Sequence, residues 1–254
     1  CFLVRARLGM GPGDSLVNES TRQMVQTVLA ERKLAEAMAN LTPEAQVGVS
    51  KMGAQLANMT KDITFNNAAE HLVLCIKDRN MSMLVVNFAL TSAGAGRPIH
   101  HAARFKNLRM TNFLLGRAAE LNLRDKAGWT ALHHACAPPF PSAAANKDEV
   151  LVDVGAVVRS CTLTAEALLA RGAMFSVPDN RGFTPLHLVA FECIKHINFF
   201  HINTNDLEAA AYAQCCFQMM GYLVDIVGCK LGTVDRRGNS MLGTCAIEGG
   251  PGGV

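Results

Sequence analysis

A nine-residue frame occurs three times in this chain and restricts its fold more than any other feature does. It reads Asp125-Lys126-Ala127-Gly128-Trp129-Thr130-Ala131-Leu132-His133, then Asp179-Asn180-Arg181-Gly182-Phe183-Thr184-Pro185-Leu186-His187, then Asp235-Arg236-Arg237-Gly238-Asn239-Ser240-Met241-Leu242-Gly243. In each copy Asp stands three residues before Gly, and Gly two before Thr or Ser. Asp can accept bonds from its own following backbone and Gly tolerates positive φ, so the pair flanks a tight turn. Thr130, Thr184 or Ser240 then caps a helix, and Pro185 takes a first-turn position where its missing N–H costs nothing. Leu132, Leu186 and Leu242 begin the buried face of that helix. An upstream copy keeps only the end of the frame, Arg97-Pro98-Ile99-His100-His101-Ala102-Ala103. The histidine near each helix start is expected to hydrogen-bond between neighbouring units.

A second helix recurs with the same register. Phe113-Leu114-Leu115-Gly116-Arg117-Ala118-Ala119 matches Ala167-Leu168-Leu169-Ala170-Arg171-Gly172-Ala173, and Leu223 to Cys229 holds the same place before Asp235. Small residues at 118, 172 and 228 suit a helix end that turns sharply. Two short helices and a turn cannot bury their apolar faces alone, so such units must stack.

This pattern resembles the ankyrin repeat family, whose signature is a Gly-x-Thr-Pro-Leu-His helix start followed by a Leu-Leu second helix. The resemblance spans residues 97–246, about six-tenths of the chain, and is strongest from Gly182 to Ala190. His100 and His133 stand 33 residues apart, the length of one such repeat. Ala131 and Met241 replace the proline, and Gly243 replaces the histidine. A degenerate unit is read over Asn67 to Leu90, with His71 near the histidine position and Leu84-Val85-Val86 as second helix. The resemblance implies an all-α fold: an ankyrin-type α-solenoid of stacked helix-turn-helix units with short β-hairpin tips, plus an N-terminal helical segment. The expected division is residues 1–62 as that segment or cap and 63–250 as the array.

The same resemblance implies a protein partner, met by the hairpin tips and the exposed inner face of the first helices. By position those contacts fall on Lys126, Ala127, Trp129, Asn180, Arg181, Phe183, Arg236, Arg237 and Asn239 at the tips, and on Arg104, Phe105, Phe191 and Glu192 of the first helices. Packing between repeats is an equal reading for Trp129 and Phe183. The alternative at the level of the whole protein is a regulatory arm of a larger enzyme or membrane channel. Beginning on Cys1 and ending on a glycine-rich stretch, the chain reads as a piece of something larger.

From first-helix histidine to the next frame's Asp the spacing is 25, 46 and 48 residues for His100, His133 and His187. Two units therefore carry insertions, at about 138–162 and 194–216. Pro138-Pro139-Phe140-Pro141 cannot continue a helix, whereas Asp148 to Cys161 reads as an extension of the second helix. Phe199 to Asn205 reads as a loop, with Asp206 capping the helix that follows. Insertions in repeat arrays map to one face, where binding residues concentrate.

Ahead of the array, Leu16 to Asn40 reads as a helix with Met24, Val25, Val28, Leu29, Ala35 and Met38 along one side. Thr42-Pro43-Glu44 opens another, to about Met59, with Val47, Met52, Leu56 and Met59 inward. The pair reads as a cap on the array, or as a dimerising or partner-binding element.

Composition removes several function classes. A net charge of +3 is too small to indicate a nucleic-acid partner, although Arg97, Arg104, Lys106, Arg109, Arg117, Arg124 and Lys126 form a local basic excess. No apolar run approaches the roughly 18 residues of a membrane span. Nine irregularly spaced cysteines, many inside apolar runs, point to a reducing compartment, cytosol or nucleus, rather than to a disulfide framework, and an intracellular, cytoplasmic location is expected. Cys193, His196, His201, Cys215 and Cys216 are the best zinc candidates, but the chain has no Cys-x-x-Cys and no metal is expected. No phosphate loop, dinucleotide fingerprint or nucleophile elbow is present, so neither a cofactor nor catalysis is expected. Neighbouring His134 and Cys136 point apart on a helix and do not make a catalytic pair.

Overall fold

The computed structural model describes residues 15–90, 96–138, 153–202, 207–229, 231–232, 234–235 and 237–248. Among them the helices are α1 (Ser15–Ala39), α2 (Pro43–Met59), α3 (Asn66–Leu74), α4 (Arg79–Val86), α5 (Pro98–Arg104), α6 (Leu108–Gly116), α7 (Ala131–Cys136), α8 (Val154–Leu169), α9 (Pro185–Ile202), α10 (Leu207–Gly221) and α11 (Met241–Glu248). A 3-10 turn, Ile63–Phe65, precedes α3, and a π turn, Tyr222–Ile226, follows α10. The described residues contain no strand, only an isolated bridge between Val234 and Ser240, so the fold is all-α.

Capping places the helix starts where the side chains dictate. Thr42 accepts from the Ala45 amide ahead of Pro43, Asp78 from Asn80 and Met81, Asn107 from Met110, and Asp153 from Ala156. Two rows of helices then pack in sequence order. Helices α5, α7, α9 and α11 form one row and α6, α8 and α10 the other, with α2 against α5 and α3 against α6. Ile99, Met110, Leu114, Leu132, Leu168, Leu186, Met219 and Leu223 lie wholly inside, each burial contributing roughly 1.5–3 kcal/mol.

Several expectations shift in the folded chain. Helix α9 runs unbroken through Ile202, where a loop was expected from Phe199; the stretch holds no glycine or proline to stop it. The second insertion is therefore in part a lengthened helix pair, α9 packed along α10. In the first insertion α8 starts at Val154, while residues 139–152 lie outside the described residues. The inward face of α2 is Val49, Gly53, Leu56 and Ala57, and Val47 points to solvent. On α1, Leu34, Ala37 and Met38 reach the core, but Val25, Val28 and Leu29 stay exposed, while Thr27 is buried and donates to the Asn122 carbonyl at 3.4 Å. His71 is exposed on α3 and does not hold a buried histidine position.

Gly53 explains how closely the N-terminal helices approach. A Cβ there would lie 2.3 Å from the Phe88 Cβ, so only a bare backbone admits the chain leaving α4.

Candidate partner-binding surface

The three frames fold into the same turn. Asp125 Oδ1 accepts from the Ala127 and Trp129 amides at 2.9 and 2.8 Å, Asp179 Oδ1 from Arg181 and Phe183 at 2.8 Å each, and Asp235 Oδ1 from Arg237 and Asn239 at 2.8 and 2.9 Å. The Asp amide donates in return to the carbonyl of Trp129, Phe183 or Asn239. Gly128, Gly182 and Gly238 sit at φ of 84°, 91° and 80°, which explains why glycine holds that place in each copy. Burial alone would raise the Asp235 carboxyl, but the amides of Asn239 and Arg237 outweigh it and hold the group below the usual carboxylate range.

Histidines join each turn to the neighbouring chain. The His133 Nδ1 accepts from the Thr130 amide at 3.2 Å, and Nε2 donates to the Phe183 carbonyl at 3.0 Å. His100 repeats the arrangement, with Nδ1 accepting from the Arg97 amide and Nε2 donating to the Leu123 carbonyl, both at 2.9 Å. An accepting Nδ1 leaves Nε2 as the protonated nitrogen, so the imidazoles are neutral. Burial, the first cause in both, pushes His100 down to about 3 and His133 to about 4. The second histidine of each doublet differs: His134 Nε2 donates to Asp125 Oδ2 at 2.9 Å, and His101 is pushed down to about 4 by burial and then by Lys61.

The expected contact residues divide into surface and interior. Arg104, Phe105, Lys126, Ala127, Asn180, Arg181 and Arg237 are exposed. Trp129 is half-buried; its indole N–H donates to Asp179 Oδ2 at 3.3 Å and its ring stacks with His133, tying two turns together. Phe183 is only 6% exposed, inside rather than on the surface, because its ring lies between His187 and Phe191. The Arg181 guanidinium covers Phe183 and Phe191 at 4.4 and 5.1 Å and pairs with Asp179 at 3.2 Å. Phe191, Glu192 and Asn239 are half-buried, and Asn239 Nδ2 turns back to Asp235. Arg236 lies outside the described residues.

Successive turns are joined at their tips. Asn180 donates through Nδ2 to the Lys126 carbonyl at 2.8 Å and accepts from Arg124 at 2.9 Å. Across them lies α1, and between α1 and the turns runs a groove of about 320 Å³ lined by Val28 and Glu31 on one side and Arg124, Lys126, Val177 and Asn180 on the other. Sequence spacing could not reveal this groove, because the groove residues of α1, Val28 and Glu31, are far along the chain from Arg124 and Lys126 and farther still from Val177 and Asn180.

Lys106, one of the local basic excess, is buried. Its ammonium donates to the carbonyls of His134, Ala135 and Ala137 at 2.5, 2.8 and 2.6 Å, closing the C-terminal end of α7. Burial pulls its pKa below the ordinary lysine value.

Among the zinc candidates, Cys193, Cys215 and Cys216 are buried free thiols, and the His196 and His201 side chains lie outside the described residues. No group of three or more His, Cys, Asp or Glu among the described residues is placed to hold a metal ion. Burial pushes the Cys215 and Cys229 thiols up to about 11. No helix among the described residues is long and apolar enough to cross a membrane.

No curated protein matches this chain. Residues 84–135, from the end of α4 through α7, match the family model of ankyrin repeats (many copies), repeats that generally mediate protein–protein interaction. The matched stretch holds α5, α6 and the first of the three turns, so this part of the chain is identified as ankyrin-repeat sequence.

Proposed function

We propose that this chain is a protein-interaction module: an ankyrin-type α-solenoid whose hairpin-like tips and first-helix face bind a partner protein, without catalysing a reaction. The groove beside the tips carries this reading, because it sets the exposed Lys126 and Asn180 of successive turns against α1 in a space of about 320 Å³. Beneath them the turns are rigid, each held by an aspartate, a positive-φ glycine and a cross-turn bond, so a partner would meet a preorganised surface. Cytoplasmic residence fits the free thiols of Cys75, Cys136, Cys161, Cys193, Cys215, Cys216 and Cys229.

The test is affinity capture with the chain as bait, read by mass spectrometry, beside a variant carrying Lys126→Glu and Ala127→Arg. Both positions are exposed, so the variant should melt with the wild type while losing the proteins that the wild type retains. An identical captured set from both baits would remove the tips from the interface.

A further inference from the structure

The basic excess between Arg97 and Lys126 is largely used internally. The Arg97 guanidinium donates to the Asn87 carbonyl, and Lys106 closes α7. Arg109 pairs with Glu70 at 2.8 Å, Arg117 covers Phe113 at 5.5 Å, and Arg124 bonds the Gly128 carbonyl and Asn180. Arg104 differs. It ends α5, is exposed, and has its guanidinium 5.9 Å from the centre of the Phe105 ring, itself 46% exposed.

Helix α2 packs on α5, and just beyond its end stands exposed Lys61, whose ammonium donates to the neutral Asn58 amide oxygen at 2.8 Å and has no carboxylate partner among the described residues. Lys61 and Arg104 act on the same neighbour: after burial, Lys61, His134 and Arg104 each disfavour charge on His101, and Asp125 favours it. Asp125 does not neutralise the two cations, since its carboxylate is taken by His134 Nε2 and by the Ala127 and Trp129 amides. Asp62, beside Lys61, accepts from the Thr64 amide. Asn107 donates through Nδ2 to the Thr60 carbonyl at 3.4 Å, and Thr60 Oγ1 donates to the Pro98 carbonyl at 3.4 Å, so Lys61 lies against the segment that carries Arg104 and Phe105.

We propose that Lys61, Arg104 and Phe105 receive an acidic segment of the partner protein, its carboxylates on the two cations and an adjoining apolar side chain on Phe105. This rests on the protein-binding reading above. An extended nucleic acid is a poorer fit, because useful affinity comes from neutralising roughly 6–10 phosphates and this site is built on two cations. A membrane surface attracts clusters of about 4–8 basic residues, again more than this site offers. Two cations and one exposed aromatic ring match the scale of a short peptide, where charged contacts set specificity and association rate.

The experiment pans a library of random twelve-residue peptides displayed on phage against the whole chain. Selected peptides are then titrated by fluorescence polarisation against wild type, Arg104→Glu, Lys61→Glu and a distant control, Arg171→Glu. Support is an enrichment of Asp and Glu, a loss of affinity of about tenfold in each of the first two variants, little change in the control, and weakening with added salt. Neutral or basic peptides whose binding ignores Arg104 and Lys61 but is lost on Lys126→Glu would overturn this site and leave the tip reading standing. Acidic peptides that bind all variants equally would overturn it too. If the cations serve only to complement helix C-termini, melting temperature falls while peptide affinity holds, which is also a refutation.

Discussion

The imidazole of His133 donates from Nε2 to the Phe183 carbonyl at 3.0 Å, joining two copies of the turn frame fifty residues apart. Its other nitrogen accepts from the Thr130 amide, so one ring both closes its own helix start and fastens the next turn. An apolar residue of similar size could fill the space but would orphan a buried carbonyl and a buried amide.

Replacing His133 with Ala should cost about 2–4 kcal/mol, combining a cavity with an unsatisfied carbonyl. Urea denaturation followed by circular dichroism measures this. A loss below about 0.5 kcal/mol would show that the bond to Phe183 contributes little, since even an average net hydrogen bond exceeds that.

Stability should also depend on pH in a defined direction. His100 and His133 titrate near 3 and 4 when folded, against an ordinary histidine value of 6.5. Their folded values are depressed, so the neutral form's contribution is complete above pH 6.5 and is lost as pH falls towards 4 and then 3. Each ring removes up to about 1.4 kcal/mol per pH unit in that window. The urea midpoint should be level above about pH 7 and fall between pH 6.5 and 5, before most carboxylates protonate. A midpoint that stays level down to pH 5 would contradict the neutral, buried assignment.

Gly53→Ala places a methyl group 2.3 Å from the Phe88 Cβ. Helix propensity alone favours alanine by about 1 kcal/mol, whereas forced displacement of packed backbone costs about 1–3 kcal/mol. The overlap involves a Cβ fixed to the main chain, so the steric cost should win and thermal unfolding should move to lower temperature. An unchanged or raised melting temperature would mean that α4 is not held against α2 as described.

Two residues in left-handed backbone conformation should respond oppositely to replacement. Ala118 has φ of 60°, where the matching positions carry Gly172 and Gly228; Ala118→Gly should stabilise by about 0.5–1 kcal/mol through relief of strain. Lys106, at φ of 54°, is strained as well, but its ammonium satisfies three carbonyls at the end of α7. Lys106→Met keeps the length and loses the donor, so it should destabilise by about 2 kcal/mol. Chemical denaturation of the two variants side by side would expose an error in either sign.

The frame Asp-x-x-Gly-x-Thr/Ser-x-Leu determined a great deal by itself. Its aspartate carboxylates, positive-φ glycines and helix-start histidines act within a few residues or on a neighbouring unit of similar sequence, so local chemistry carries them into any fold that stacks the copies. The helices Ser15–Ala39 and Pro43–Met59 were legible through caps and 3.6-residue periodicity, and the all-α class through the resemblance to ankyrin repeats. Tertiary structure decided which faces those helices bury. Val25, Val28 and Leu29 lie on an apolar stripe, yet they remain exposed, because the side of α1 that meets the array there is the one carrying Thr27. Phe183 and Trp129 occupy tip positions that could face a partner, and the phenylalanine goes inside only because His187 and Phe191 come from the next helix to meet it. Lys106 reads as one cation in a basic run until α7 ends beside it with three carbonyls unfilled. The groove between α1 and the turns has no signature at all along the chain. Each of these outcomes depends on which surfaces meet at long range, and spacing within one segment carries no record of what will pack against it.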